Sequence, residues 1–572
     1  MAKQDSAGGL DDGTWLAAVG LGAVLGLSAV VLVAAQLAGL LSGNGWPAPT
    51  RSLPETVVWS VVSGPGSAYE PAPPGWLFWI FVVLLASLLV TAVVALVIRF
   101  GGRKDSGGAK WGGKKTEKVM AAPEKPEERP DRMTAGRGQL TNKILAVTER
   151  AASVVAFGPP GSAKTTGLLL GNAAEWQGPA VITTTKAADL KAIYASRQAL
   201  GPVYVIAPAG LPGVQTHHWS PVDYATDPES AERMAEWMAE AAQKAYDPRA
   251  EPWIAQARAI LAGLLLAANL SGGGINRFRE WLALGRDAVD HVRAILEPTY
   301  PEVALDYAQP WLQLHKDGAG SVQFTLNVIA AVYRSQQIRD VSASTDFTAE
   351  QVLDGNGTII LVASPTNAER FAPLFTSIIA SVIHAGENRF EQTGEPLSRA
   401  LGLFVDEAGN VLRYPKLPTI LTTGRGMGIA LMTIWHDLSQ LASRVGSEGA
   451  KTVVSASHLR MLLPGLADDD TIRYFNYLLG KEHAERTSLS SGGSGRASTS
   501  TSVVETDLVP VHELREIPKL TAIAVYFNER PLRVNMRLTY RDADLKAWLA
   551  RPAGSVSLSK DDVPTALEAP VG

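Results

Sequence analysis

Long and short hydrophobic runs divide this chain of 572 residues into regions of different character. Near its beginning, residues 15–41 and 76–98 carry no charge, and each run exceeds the roughly 20 residues that a membrane-spanning helix needs. Tryptophans stand near the ends of both runs, where interface anchors belong. A cleaved signal peptide is the alternative for the first run, but its apolar part spans only about 7–15 residues after a basic start. The pattern predicts a two-helix membrane anchor over residues 1–100.

Seven shorter apolar runs recur later, and each has the length and composition of a strand buried on both faces. They are SVVAF (153–157), AVITTT (180–185), VYVIA (203–207), TIILVAS (358–364), GLFVD (402–406), IALMTIW (429–435) and HLRMLL (458–463). Helical patterns lie between several of them. This alternation predicts an α/β fold, a mostly parallel sheet with helices on both sides.

The pattern changes between residues 215 and 345, where no strand run occurs. One helix is predicted to begin at Asp227 as N-cap with Pro228 in its first turn, and a second begins at Pro252. The apolar residues near Leu264 are too few to span a membrane, so they predict a buried helix. We therefore expect an all-helical domain inserted into the α/β domain.

Charge and composition add orientation and exclude some chemistry. Seven Lys or Arg residues lie between Arg99 and Lys118, whereas the loop 42–75 has only Arg51. Because positive residues stay inside, we expect a multi-pass protein of the cell (inner or plasma) membrane, with both termini cytoplasmic. The chain has no cysteine, which excludes disulfides and thiolate metal sites. The net charge of −4 gives no sign of nucleic-acid binding over the whole chain.

The stretch FGPPGSAKTT (157–166) resembles a phosphate-binding loop, because it follows a predicted strand and precedes an apolar helix. The pattern predicts an ATP and Mg²⁺ site, in which Lys164 reaches the β- and γ-phosphates and Thr165 holds the metal. The residues expected to line the nucleotide are Gly158, Pro159, Pro160, Gly161, Ser162, Ala163, Lys164, Thr165 and Thr166.

Ala163 departs from this pattern, which has glycine before the lysine. If the position requires a positive φ, alanine costs about 1–2 kcal/mol, which a whole domain can absorb. The alternative for the stretch is a glycine-rich turn from strand to helix that contains a lysine by chance.

A second candidate is LGLFVDEAGN, an apolar strand followed by Asp406 and Glu407. Two adjacent carboxylates after a buried strand are costly unless a cation or water accompanies them. We expect Asp406 to hold Mg²⁺, often through water, and Glu407 to polarise the attacking water. The alternative is the N-terminus of an ordinary helix.

Two further residues follow in the chain. Arg425, between two glycines and just before a strand, is predicted to lie on a loop and to stabilise the γ-phosphate charge in a neighbouring subunit. A surface arginine is the alternative. His436 follows the strand, where a polar residue could sense the γ-phosphate, and a buried histidine with a structural role is equally compatible with the sequence.

Taken in order, these stretches resemble the type IV secretion coupling proteins, the membrane-anchored ATPases of conjugative DNA transfer. The likeness covers roughly 140–485 and the two-span anchor. VITTTKAADL and HHWSPVDYA are also similar to family segments, with Ser220 where asparagine is usual. His436 stands where the family has a sensor glutamine, and Arg425 corresponds to an arginine that acts in trans.

The resemblance implies a P-loop (RecA-like) ATPase that forms a homo-hexamer around a passage for single-stranded DNA. It also implies contacts with a DNA-nicking relaxase and with components of the secretion channel. The predicted domains are the anchor (1–100), a basic flexible linker (101–132), the nucleotide-binding domain in two parts (133–214 and 346–552), the all-helical domain (215–345) and a disordered tail (553–572). Within the second part, residues 487–502 are predicted to form a flexible loop.

Two other functions remain open from the sequence. One is a double-stranded DNA segregation pump, although that family usually has more membrane spans and a C-terminal DNA-reading domain. The other is a membrane scaffold that recruits cargo without hydrolysis, which Ala163 and His436 favour. Lys164, Thr165 and the acidic pair favour an ATPase instead.

Overall fold

The computed structural model describes residues 12–100, 108–242, 251–313, 316–491 and 497–550. It divides into two compact units, Met1–Gly107 and Gly108–Gly572. The predicted tail 553–572 lies outside the described residues.

Two long apolar helices dominate the first unit. The elements are α1 (Asp12–Leu41), β1 (Ala48–Pro49), α2 (Leu53–Val62), β2 (Tyr69–Glu70) and α3 (Gly75–Phe100). The stretch Gly75–Ala92 of α3 is long and apolar enough to cross a membrane, and the apolar part Gly26–Leu41 belongs to α1. The two charge-free runs of the sequence therefore form helices that are candidate membrane spans.

An eleven-stranded mixed sheet forms the centre of the second unit. The strands of this unit are β3 (Thr134–Gly138), β4 (Ile144–Ala146), β5 (Val154–Phe157), β6 (Ala180–Thr184), β7 (Val203–Ile206), β8 (Thr358–Val362), β9 (Leu401–Val405), β10 (Ile429–Trp435), β11 (Leu459–Leu462), β12 (Lys481–Ser491), β13 (Ala497–Asp507), β14 (Thr521–Tyr526) and β15 (Leu532–Asn535). Their order in the large sheet is β4-β3-β15-β14-β11-β5-β10-β9-β6-β8-β7.

All seven predicted strands are present, and they form the parallel part of the sheet from β11 to β7. Most of their residues are buried, because helices cover both faces. The predicted α/β fold is confirmed. The other four strands, β14, β15, β3 and β4, add an antiparallel edge that the hydrophobic pattern does not predict.

Helices fill the space on both sides of the sheet. They are α4 (Lys114–Met120), α5 (Leu170–Glu175), α6 (Ala187–Gln198), α7 (Pro221–Tyr224), α8 (Pro228–Ala242), α9 (Glu251–Leu270), α10 (Gly274–Leu284), α11 (Val289–Leu296), α12 (Pro301–Gln313), α13 (Lys316–Ile329), α14 (Gln336–Val341), α15 (Ala349–Asp354), α16 (Pro365–Thr393), α17 (Ala408–Val411), α18 (Leu417–Met427), α19 (Leu438–Ala456), α20 (Asp469–Leu479), α21 (Val511–Arg515) and α22 (Ala543–Leu549).

Between β7 and β8, the described residues form helices and no strand, from α7 to α15. The stretch Pro252–Leu270 of α9 is apolar enough to cross a membrane by length and composition, but 61% of it is buried inside the protein. It is therefore the core helix of this helical region, as the short apolar run predicts.

The predicted flexible linker differs from the structure over residues 108–132, which pack against the sheet. In α4 the carboxylate of Glu117, only 1% exposed, accepts hydrogen bonds from the backbone N–H groups of Leu140 (3.0 Å) and Thr141 (2.8 Å). Arg129 forms a buried ion pair with Glu175 at 2.7 Å. The polar residues that suggest a solvated linker in the sequence therefore hold residues 108–132 against the folded unit by hydrogen bonds and an ion pair.

The predicted loop 487–502 also differs from the structure, since its described residues belong to the antiparallel pair β12–β13. The backbone pairing runs from Lys481 opposite Asp507 to Ser491 opposite Ala497. Its Thr and Val residues favour a strand, and the Ser- and Gly-rich composition obscures this preference in the sequence.

Candidate active site

The predicted site residues other than Arg425 converge at one edge of the sheet. Strand β10 lies between β5 and β9, and all three are parallel. The phosphate-loop sequence follows β5, the acidic pair follows β9, and His436 follows β10. Because the carboxyl ends of neighbouring parallel strands meet at one edge, the three segments form a single crevice, as ligand sites of such sheets do.

The loop after β5 is a narrow turn with no room for side chains at its start. The N–H of Gly158 donates to the carbonyl of Trp435 at 3.0 Å. A Cβ atom at Gly158 would lie 2.7 Å from Ser162 Oγ and 2.8 Å from Leu463 Cβ. Pro159 is half-buried, while Pro160 and Gly161 are exposed at the tip. The backbone of this turn therefore remains accessible to an anion.

Ala163 adopts the left-handed conformation expected for the glycine of such a loop, with φ +62°, and Gly161 has φ +85°. The chain then turns helical at Lys164 and Thr165, and the residues Thr165–Leu169 continue into α5. The carbonyl of Thr166 accepts a hydrogen bond from the N–H of Thr539 at 3.1 Å. The alanine is thus accommodated at the price of backbone strain.

Two buried polar atoms of the loop have no hydrogen-bond partner among the described residues, the Nζ of Lys164 and the Oγ of Ser162. Lys164 is 6% exposed, and its Nζ lies 3.7 Å from Glu407 Oε1. A buried ammonium without hydrogen bonds is unfavourable, and phosphate oxygens would supply the missing acceptors. These orphaned donors therefore fit the phosphates of a nucleotide.

Thr165 and Asp406 meet across the crevice. The Thr165 hydroxyl donates to Asp406 Oδ2 at 2.6 Å, and Asp406 is 2% exposed. Burial raises the pKa of Asp406, although the Thr165 hydrogen bond and the Lys164 charge oppose this rise. A hydroxyl beside a carboxylate is a ligand pair suited to Mg²⁺, which keeps several waters and phosphate oxygens as its other ligands.

The described residues contain no group of three or more His, Asp or Glu side chains that could hold a metal ion by themselves. A metal bound by Thr165 and Asp406 would therefore depend on the nucleotide for further ligands.

Glu407 occupies the centre of the crevice. Its backbone is left-handed (φ 47°, ψ 47°) at the start of α17. For a residue other than glycine this conformation costs on the order of 1–3 kcal/mol, and such strained residues cluster at functional sites. The Nδ2 of Asn410 donates to Glu407 Oε2 at 2.9 Å. The other oxygen, Oε1, is 3.7 Å from Lys164 Nζ and 4.0 Å from His436 Nε2.

His436 faces the same carboxylate. Its backbone N–H donates to Gln440 Oε1 at 2.9 Å, which fixes the turn after β10. Burial and the Lys164 charge lower the pKa of His436, whereas Glu407 and Asp437 oppose this shift. The imidazole is therefore neutral at pH 7, and its buried Nε2 has no hydrogen-bond partner among the described residues.

Arg425 lies elsewhere, and the predicted loop is wrong: the residue is in the last turn of α18 and is exposed. Helix α18 leads into the amino end of β10, whereas the crevice lies at the carboxyl end of β10. The seven-residue strand therefore separates Arg425 from the crevice by about 20 Å. One guanidinium nitrogen of Arg425, Nη1, is 3.0 Å from His458 Nε2. The glycines beside Arg425 are helical, and Gly428 (φ 82°) ends the helix.

Sequence reasoning missed two residues that hold the acidic pair in place. The Thr183 hydroxyl, at the end of β6, accepts from the N–H of Asp406 at 2.9 Å and donates to its carbonyl at 3.1 Å. Asn410 orients Glu407, as described above. The contact between Asn410 and Glu407 could have been predicted, because an asparagine three positions after a glutamate can reach its carboxylate.

Comparisons with known proteins give consistent results. A family described as "Type IV secretory system Conjugative DNA transfer" matches residues 109–561. The fold is similar to that of a solved structure described as "Bacterial conjugative coupling protein TrwBdeltaN70", with a TM-score of 0.57 and 18% identity over 79% of this chain and 95% of that chain.

Two nucleotide complexes of that fold are also similar to this chain. The plasmid coupling protein TrwB with ADP and Mg²⁺ has a TM-score of 0.55 and 17% identity, covering 75% of this chain and 94% of that chain. The complex with the non-hydrolysable ATP analogue ADPNP has a TM-score of 0.56 and 18% identity, with the same coverage.

No curated protein matches the chain significantly. At these identities the solved structures establish the fold alone, and the family assignment comes from the match over 109–561. That match covers well over half of the chain and includes both the crevice and the helical region. The chain therefore belongs to the conjugative DNA transfer family of the type IV secretory system.

Proposed function

We propose that this protein is a membrane-anchored ATPase that couples ATP hydrolysis to the transfer of relaxase-bound, single-stranded DNA into a type IV secretion channel. The observation that carries the proposal is the crevice itself. An orphaned buried lysine, a hydroxyl–carboxylate pair and a strained glutamate meet at the carboxyl edge of a parallel sheet. TrwB, which has the same fold, is known in complex with ADP and Mg²⁺.

The residues of the crevice have distinct roles in this proposal. Lys164 and the loop N–H groups bind the phosphates, because the loop backbone is open and the lysine has no hydrogen-bond acceptor in the part of the chain that the structure describes. Thr165 and Asp406 hold Mg²⁺, which neutralises phosphate charge when bound. The backbone clamp from Thr183 keeps Asp406 in this position.

Glu407 orients the attacking water and accepts its proton. Asn410 occupies one of its oxygens, so Oε1 is the oxygen that faces the crevice. Lys164 Nζ lies 3.7 Å from this oxygen, so the lysine pairs with the carboxylate until the phosphates engage it. His436, neutral and 4.0 Å from the same oxygen, can donate or accept a hydrogen bond and is suited to sensing the γ-phosphate.

Arg425 acts in trans within a homo-hexamer in this proposal. The geometry supports this role because the arginine is exposed and about a strand length away from the crevice of its own chain. A planar guanidinium that stays charged is suited to a neighbour's γ-phosphate. His458 accepts a hydrogen bond from Arg425 and is neutral, since burial and the Arg425 charge lower its pKa.

The two apolar helices of the first unit anchor the protein in the cell membrane, with both termini and the nucleotide site in the cytoplasm. The basic residues after α3 support this orientation. Because the chain has no cysteine, single cysteines report topology directly. A cysteine at Ser63 should react with an impermeant reagent in intact cells, whereas one at Thr422 should react only after lysis. The reverse pattern would contradict the orientation.

ATP turnover by the purified full chain, measured across protein concentration, tests the proposed activity. We expect turnover to rise with concentration as rings assemble and to rise further with single-stranded DNA. Greater stimulation by duplex DNA would favour a double-stranded DNA pump. Absence of turnover under all conditions would contradict the ATPase and leave a recruiting scaffold.

A further inference from the structure

The short helix α2, between the two long apolar helices, has reversed polarity. Its inward face carries Thr56 and Ser60, and both residues are completely buried. Its outward face carries Val58, Val61 and Val62, with exposed fractions of 58%, 59% and 76%, and its one charged residue, Glu55, is exposed in the first turn, where it accepts a hydrogen bond from the Ser52 hydroxyl at 2.9 Å. A helix on the surface of a water-soluble domain shows the opposite arrangement. The outward face of α2 is therefore adapted to an apolar environment.

The buried hydroxyls of α2 do not need water. The Thr56 hydroxyl donates to the carbonyl of Ser52 at 3.0 Å, and the Ser60 hydroxyl donates to the carbonyl of Thr56. Because these bonds are internal to the helix, they leave its polar inner face satisfied and do not require a polar partner on the outside.

The loop that contains α2 packs directly onto the ends of the long helices. Ala68 and Tyr69 share one core with Ala38 of α1 and Phe78 of α3, and the Tyr69 and Phe78 rings are 6.4 Å apart. Only residues 42–52 and 63–74 connect α2 to α1 and α3. If the long helices cross the membrane, α2 is held at the level where they leave the hydrocarbon.

The residues around α2 are those of a membrane interface. Trp46 is 67% exposed and Trp59 is 39% exposed. The guanidinium of Arg51, just before the helix begins, lies 4.3 Å from the centroid of the Trp59 ring, so its charge is next to an indole. Indoles and basic side chains concentrate at the headgroup level, where one part of the residue is apolar and the other is solvated.

We propose that α2 is an interfacial helix that lies on the membrane, with Val58, Val61 and Val62 in the boundary between headgroups and acyl chains. The occupant of this apolar face is lipid of the leaflet into which the loop emerges. The proposal rests on the two-helix anchor and is independent of ATP hydrolysis. A protein partner or a second copy of the chain would also exclude water from the face, so the test must distinguish these occupants from lipid.

Single nitroxide labels in the full chain make this distinction, because the protein has no cysteine to remove. Val58→Cys, Val61→Cys and Val62→Cys are labelled separately, and the chain is reconstituted in phosphatidylcholine vesicles. Leu88→Cys on the exposed face of α3 serves as the lipid reference, and Thr422→Cys on exposed α18 serves as the water reference. Collision with oxygen and with a water-soluble nickel chelate is then measured for each label.

We expect the three α2 labels to collide with oxygen several-fold more than the Thr422 label and with the nickel chelate several-fold less. Their depth should be shallower than that of the Leu88 label. Nickel access equal to that at Thr422 would place the face in water and overturn the proposal. Low access to both reagents would mean that protein covers the face and would overturn it as well. High oxygen access at the Leu88 label verifies that the chain inserts into the vesicles under these conditions.

Discussion

Replacing Ala163 by glycine should stabilise the protein, because the residue carries a positive φ of 62° that an L-side chain disfavours. Releasing a non-glycine residue from this conformation recovers about 1–2 kcal/mol, from which the greater freedom of glycine in the unfolded chain removes about 0.4–1 kcal/mol. The net gain is about 1 kcal/mol, or roughly 1–2 °C in the melting temperature of a unit this large. Turnover should be retained, because the substitution leaves the loop in the same conformation.

Thermal melting of the purified chain, compared with a second alanine, measures this effect. Ala255 is exposed within α9, where glycine should cost about 1 kcal/mol by helix propensity. Ala163→Gly should therefore raise the melting temperature, while Ala255→Gly should lower it. If both substitutions lowered it equally, the strain assigned to Ala163 would be refuted.

Four other variants test the roles proposed for individual residues. Asp406→Asn should raise the melting temperature, because burial raises the pKa of this carboxyl and disfavours its charged form. The same substitution should lower turnover by about 100-fold, because it removes the metal ligand, and retained turnover would contradict that role. The pKa of His436 is lowered, so the contribution of the neutral imidazole to stability is lost as the pH falls below about 6.5. Turnover should fall in the same pH range, because protonated His436 places a second cation beside Lys164. His436→Gln should remove this acidic fall in turnover, and an unchanged pH profile would mark His436 as a packing residue. Arg425→Ala and Lys164→Ala should each abolish turnover, but mixed rings should regain activity at interfaces that combine the intact groups; mixed rings without recovery would argue that Arg425 acts in cis.

The parallel part of the sheet was predictable because strands buried on both faces appear as continuous apolar runs. Strand β15 was not, since it has only four residues and one of its partners, β3, is distant in sequence. Their pairing depends on contacts between the two ends of the second unit, which local patterns do not encode.

The same distinction applies to the site. Lys164, Asp406 and Glu407 were predicted as site residues because each follows a recognisable strand, and the structure brings the three together. The clamp by Thr183 was missed, since a threonine at a strand end is common and its role depends on which strand lies beside it. For Arg425, the two flanking glycines indicated a loop, but the helix that begins at Leu417 continues through both of them.

The most direct test of the nucleotide site is ATP turnover by the full chain and by Lys164→Ala, with and without single-stranded DNA. The buried Nζ of Lys164 contacts no other hydrogen-bond acceptor in the described residues, so its removal should leave the fold intact. We predict measurable turnover by the parent, stimulated by the DNA, and turnover at background in Lys164→Ala with a melting temperature that is not lowered. Equal turnover by the two proteins would contradict the assignment of this loop as the site of ATP hydrolysis.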